Sequence, residues 1–127
     1  MLLWRSFEFF WAFAPIQVVI ELVDMKILPD CFDRQVRLTD ERLAHILEHP
    51  EMREMGPSIE STLRQPQFVH RSRSDLSVSL FYEFYAQTLV GGKWLRIVVK
   101  YSDSDAFIVT AYLTDQPKAG ENLWPTK

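Results

Sequence analysis

The spacing of apolar residues changes period once along the chain, and the change divides it into a helical part and a strand part. In "LTDERLAHILEHP", Leu43, Ile46 and Leu47 fall on one helical face, while Arg42, His45 and His49 gather on roughly the opposite one. Thr39 suits the N-cap, Asp40 and Glu41 favour the positive end of the helix dipole, and Pro50 ends the run. Pro57 opens a second helix, "GPSIESTLRQP", with Ile59 and Leu63 inward. From Gln67 onward the period is two. "QFVHRS", "SVSLFYEFYAQTL", "KWLRIVVKY" and "AFIVTAYLT" read as four strands, with Gly91-Gly92 as the strongest hairpin signal. Helices first and strands after predict an α+β domain, with N-terminal helices packed on a four-stranded antiparallel sheet.

If Gly91-Gly92 is a two-residue turn, Val90 pairs with Lys93 and the register follows. Glu83 then faces Lys100, Tyr85 faces Val98, and Gln87 faces Arg96. One face is almost wholly apolar, and the other carries Glu83, Tyr85, Gln87, Arg96 and Lys100. In the last strand Phe107, Val109 and Leu113 are expected on the apolar side, and Thr110 and Tyr112 on the polar one.

The chain has 127 residues, 47% of them hydrophobic and 24% charged, which fits one globular domain. A net charge of -3 gives no basic footprint over the whole molecule. Residues 1-24, "MLLWRSFEFFWAFAPIQVVIELVD", stand apart as a hydrophobic extension. The uncharged run from Phe9 to Ile20 is well short of the ~20 residues that span a bilayer, and no small-x-small cleavage site follows it. Met25 then opens "MKILPDCF" like an ordinary start, so the single functional domain is read as 25-127 and the extension as a wrong start. Without residues 1-24 the chain loses Arg5, Glu8, Glu21 and Asp24, and the net charge goes from -3 to -1. Cys31 is the only cysteine, so no intrachain disulfide can form and a reducing, cytoplasmic compartment is the simpler reading. No general base accompanies Cys31, which reads as a filler thiol.

The polar sheet face has a plain reading as a solvated surface. Its residue types also suit metal-independent phosphodiester cleavage. An imidazole moves protons near neutral pH, a fixed cation stabilises the phosphorane, and hydroxyls hold the phosphate. "HILEH", His45 to His49, also matches a zinc-peptidase pattern, with Glu48 as base and Glu121 as a third ligand. Pro50 directly after the second histidine argues against it. His70, with Arg71 and Arg73, reads as a phosphate-contacting edge or as an exposed strand end.

The runs "VRLTDERLAHILEHPEM", "IESTLRQPQFV", "WLRIVVKY", "FIVTAYLTD" and "GENLWP" together resemble the small phage- and plasmid-associated nucleases of the barnase–EndoU–colicin–RelE-like superfamily. The resemblance begins near Met25 and covers most of the remaining chain. It implies a four-stranded antiparallel sheet under N-terminal helices and RNA cleavage through 2′-hydroxyl attack, without metal or cofactor. It also implies RNA as substrate, a cognate antitoxin protein as partner, and no membrane. Carried over, its active site matches His45, Lys100, Thr110 and Tyr112, with Glu83, Arg96, Arg42 and His49 as additional catalytic or phosphate-binding residues. Which residue is base and which is acid stays open, as does a non-catalytic interaction domain with the same fold.

Overall fold

A computed structural model describes residues 24–126. The hydrophobic extension lies outside them apart from Asp24. The described chain forms β1 (Met25–Pro29), β2 (Gln35–Thr39), α1 (Asp40–Leu47), a 3-10 turn (Pro50–Met52), α2 (Gly56–Arg64), β3 (Phe68–Arg71), β4 (Val78–Tyr85), β5 (Lys93–Tyr101), β6 (Ala106–Thr114) and β7 (Asn122–Trp124). All seven strands share one sheet in the order β1-β2-β6-β5-β4-β3-β7. The β2–β6 contact is parallel, which makes the sheet mixed.

The expected arrangement of N-terminal helices on a four-stranded antiparallel sheet is therefore incorrect. The domain is mostly β, and its two short helices are inserted between strands rather than placed before them. Strands β3 to β6 are consecutive antiparallel neighbours, but three short strands missed in the sequence extend the sheet, two at one edge and one at the other. On one side "MKILP" and "QVRLT" form a hairpin. Its turn is organised by buried Asp30, whose carboxylate oxygen Oδ1 accepts the backbone N–H groups of Phe32 and Arg34 at 2.8 and 2.9 Å. Asp33 takes a left-handed φ of 64°, a conformation that aspartate tolerates better than most residues. On the far edge "NLW" adds β7 beside β3. Five- and three-residue strands offer too few alternations to be read by period.

The helices form where their local signals place them. Thr39 caps α1 by accepting the Arg42 N–H at 3.1 Å, and Pro57 lies in the first turn of α2. Ile46, Ile59 and Leu63 are buried with Val36, Leu38, Phe81, Leu95, Ile97, Val99 and Ala111 in one core on one face of the sheet. Burying an aliphatic side chain of this size contributes about 1.5–3 kcal/mol, so this face holds most of the apolar driving force.

The β4–β5 register differs from a tight Gly91-Gly92 turn. Tyr85, not Val90, pairs with Lys93, and Glu83 lies opposite Leu95 rather than Lys100. Residues 86–92 form a wider loop in which Thr88 and Gly91 bond each other's backbone at 3.2 and 3.1 Å, with Gly91 at φ 90°. Moving Glu83 by five partners is an odd shift, and an odd shift exchanges the two faces. Glu83 and Tyr85 therefore turn to the core side with Phe81, and Leu80, Tyr82 and Phe84 turn outward. Both alternation sets of β4 are rich in aromatics, so the pattern alone did not fix the register.

In β6 a bulge at Val109 breaks the alternation, since Val98 pairs with Thr110 but Val99 pairs with Ile108. Ala106 and Ile108 enter the core at 2% and 3% exposure, and Phe107 moves to the outer face beside Lys100. The expected inward positions of Phe107 and Val109 are corrected accordingly. After β6, residues 115–121 cross the outer face over β5, β4 and β3 to reach β7. Each strand holds this strap. Arg96 donates to the Gln116 carbonyl (3.0 Å), Tyr82 accepts the Lys118 N–H (3.0 Å), and His70 Nδ1 bonds the Lys118 carbonyl (2.9 Å).

Candidate functional site on the outer sheet face

Strand alternation puts Arg96 and Lys100 of β5 on the same outer face as Thr110 and Tyr112 of β6, because their core-side neighbours Leu95, Ile97 and Val99 are fully buried. The bulge at Val109 sets Thr110 opposite Val98, midway between Arg96 and Lys100. Each is then two residues away, roughly 7 Å along the strand at ~3.3 Å per residue. These four predicted residues form one continuous patch.

Within it, Arg96 is the anchor. It is 4% exposed, and its guanidinium donates from Nε to the Tyr82 hydroxyl (2.7 Å) and from Nη1 to the Tyr112 hydroxyl (2.8 Å), besides the strap carbonyl. The two phenol rings flank it at 5.3 and 5.2 Å. Burial opposes its charge, but the hydroxyls of Tyr112 and Tyr82 outweigh that, and its pKa is raised. Among the described residues no carboxylate pairs with it.

Lys100 occupies the end of the patch that the strap does not bond. Its Nζ lies 3.0 Å from Asp75 Oδ2. Asp75 is held by the Ser77 hydroxyl and then by Lys100, which bring its pKa down to about 2. On the same rung Phe107 lies opposite Lys100, and Arg37 of β2 lies opposite Phe107 and covers its ring at 5.5 Å. Arg37 also pairs with Asp105 at 2.6 Å and was not singled out in the sequence, because β2 itself was not recognised. The Thr110 hydroxyl makes no hydrogen bond among the described residues. This open end thus gathers two cations, a free hydroxyl and an aromatic ring. Both ion pairs are half exposed, and pairs of that kind contribute little to stability, so an incoming phosphate can replace the carboxylates.

The helix residues do not join this patch by contact. His45 is largely exposed, and its recorded partner is Glu48 at 3.5 Å. Its helix packs against β2 and β6 on their core face, where Ile46 is buried, opposite the face that carries Arg37, Thr110 and Tyr112. Arg42 and His49 are exposed, His49 in an extended conformation ahead of the 3-10 turn. Glu83 is on the core side of the sheet, where burial raises its pKa. His70 is the imidazole on the outer face, stacked against Phe68 and edge-on to Tyr82 at centroid distances of 4.7 and 5.9 Å. Tyr82, fully buried, went unread because its face depends on the β4 register.

The third ligand suggested for "HILEH" is far from the other two. Glu121 pairs with Arg71 at 2.9 Å on the β7 edge, at the opposite end of the sheet order from β2. Among the described residues no group of three or more His, Cys, Asp or Glu is arranged to hold a metal ion. The Cys31 thiol is pushed up to about 12, by burial first and then by the Asp30 charge, which suits an inert thiol rather than a nucleophile. Among the described residues no helix is long and apolar enough to cross a membrane. Comparisons of the chain with known protein families, curated proteins and solved structures found no match.

Proposed function

We propose that the chain is a metal-independent endoribonuclease that holds the RNA backbone at the open end of the outer face. The observation that carries this reading is the position of Thr110, with its unbonded hydroxyl between two cationic rungs, Arg96 on one side and Arg37–Phe107–Lys100 on the other. Cations and hydroxyls hold phosphates, and an aromatic face accepts a base. In this mechanism the substrate 2′-oxygen attacks its own phosphorus and the bond to the 5′-oxygen breaks, giving a 2′,3′-cyclic phosphate. Lys100 offsets the charge on the phosphorane, and Thr110 bonds a phosphate oxygen. The resemblance gives the proton transfer between the 2′-hydroxyl and the leaving 5′-oxygen to His45, although Ile46 seats its helix on the core face of the sheet, and His70 is the imidazole on the face that carries Thr110 and Lys100. Arg96 and Tyr112 form the floor of the site. The motif order that resembles small nucleases points to the same chemistry, and to a toxin neutralised by a partner protein.

The test is incubation of purified protein with an RNA oligonucleotide and with DNA of the same sequence. RNA should be cut to cyclic-phosphate ends and DNA left intact, because DNA lacks the nucleophile. His45→Ala should slow cleavage by roughly 10²–10⁴-fold. If the toxin reading holds, the same substitution restores growth to cells expressing the protein. Full activity in His45→Ala with loss in His70→Ala would transfer the proton-carrying role to the outer-face imidazole. No cleavage of any RNA would leave a non-catalytic interaction domain and sink the enzyme reading.

A further inference from the structure

At the other surface of the sheet, where β4 begins and β5 ends, the β1–β2 turn folds over the core side and leaves a cleft of about 330 Å³. That volume is at the lower end of the ~300–1,000 Å³ typical of small-molecule sites. Two arginines enter it from different elements, Arg34 from the β1–β2 turn and Arg71 from the end of β3. The guanidinium of Arg34 stacks on the Tyr101 ring at 4.4 Å and donates only to the Ser102 carbonyl, at 3.5 Å. It has no carboxylate partner among the described residues. Arg71 uses Nε for Glu121 and Nη1 for the Leu76 carbonyl, which leaves Nη2 without a partner there.

Buried Ser79 lines the same cleft at 7% exposure, and among the described residues its hydroxyl makes no hydrogen bond. Among the described residues no side-chain polar atom is both buried and unpartnered, so this hydroxyl keeps contact with the open cleft, where a ligand can take it up. The nearby acids are already engaged. Asp30 accepts the Tyr101 hydroxyl at 2.7 Å and two backbone N–H groups, and Glu121 is tied to Arg71. Phe32, Leu76 and Leu123 supply an apolar wall.

We propose that this cleft binds a phosphate monoester carrying a compact ring, the chemistry of a nucleoside monophosphate. Two guanidinium groups and a hydroxyl arriving from separate directions suit the three terminal oxygens of a monoester, whereas a flat carboxylate is met by a single fork. The residues involved are different from those on the outer face, so the inference does not rest on the nuclease reading.

Titration calorimetry with adenosine 5′-monophosphate, adenosine and inorganic phosphate on the full chain tests it. The monophosphate should bind saturably with a Kd at or below about 1 mM, and adenosine at least about tenfold more weakly. Arg34→Ala, at an exposed position that does not threaten folding, should weaken the monophosphate about tenfold, and Ser79→Ala several-fold. No saturation near about 1 mM, equal binding of adenosine, or an unchanged Kd in Arg34→Ala would each overturn the proposal. Monophosphate binding without RNA cleavage would sink the outer-face reading alone, and cleavage without monophosphate binding would sink this one alone.

Discussion

Removing a single oxygen at Tyr112 tests how the outer face is built. Alternation alone treats Thr110 and Tyr112 as equivalent members of one polar face, but their surroundings differ. The Tyr112 hydroxyl accepts a 2.8 Å hydrogen bond from Arg96, which is 4% exposed and has only neutral acceptors. In Tyr112→Phe the ring still flanks the guanidinium, so apolar burial is unchanged and the loss is one hydrogen bond to a buried charge. Bonds of that kind are worth about 1.5–3 kcal/mol. For a domain of this size 1 kcal/mol moves Tm by roughly 4–8 °C, so a loss near 2 kcal/mol lowers Tm by about 8–16 °C. Thr110→Val removes a hydroxyl that makes no hydrogen bond, and it should stay within about 0.5 kcal/mol of the parent. Thermal melts followed by circular dichroism, with urea unfolding read from tryptophan fluorescence, measure both. A double-mutant cycle with Arg96→Met isolates the pair, because Tyr112→Phe should cost much less once the guanidinium is gone. If Tyr112→Phe melts together with Thr110→Val, Arg96 does not depend on this hydroxyl and the anchored floor described above is wrong.

Two further perturbations probe the strap and the Lys100 end. A Cβ on Gly120 would lie 2.3 Å from the Arg71 carbonyl oxygen, so Gly120→Ala must displace the strap from β3 and should destabilise the domain by about 1–3 kcal/mol in urea titrations; parent-like stability would mean the strap is loosely seated. Asp75 has its pKa lowered from an ordinary 3.8 to about 2, so its native partners stabilise the fold above pH 3.8 and that contribution is lost as pH falls from about 4 to 2. Asp75→Asn should flatten the acid side of the stability profile in that window, and an unchanged profile would show that the Asp75–Lys100 and Asp75–Ser77 contacts do not form in solution.

How much could be read from the sequence followed from how local each signal was. Thr39, Pro50 and Pro57 act on their own turns, and both helices begin and end close to where those residues place them. Arg96, Lys100, Thr110 and Tyr112 were placed on one face correctly, because β5 and the second half of β6 keep strict alternation. Glu83 was misplaced because its face depends on a turn whose width is set by Thr88 bonding Gly91, not by the glycine pair. Phe107 was misplaced by a bulge that leaves no mark in the alternation of "AFIVTAYLT". Arg37 and Tyr82 could not be found by motif. Arg37 needs the parallel β2–β6 contact between residues far apart in sequence, and Tyr82 needs the correct β4 register.

The same geometry divides the Thr-x-Tyr pair into two roles. The strap bonds Arg96, Tyr82 and His70, and makes no hydrogen bond to Thr110 or Lys100 among the described residues. Tyr112 belongs to the strapped part through Arg96, so its hydroxyl is committed before any ligand arrives. Thr110 is one alternation step away, on the unstrapped part, where Lys100 and Arg37 are held only by half-exposed carboxylates. A phosphate approaching this face finds at Arg96 a cation that is already enclosed, and at Lys100 one that can exchange partners. Any chemistry on the outer face therefore belongs to the Thr110–Lys100 end, where β5, β6 and β2 meet. Tyr112 supports that end by keeping Arg96 fixed beneath the strap.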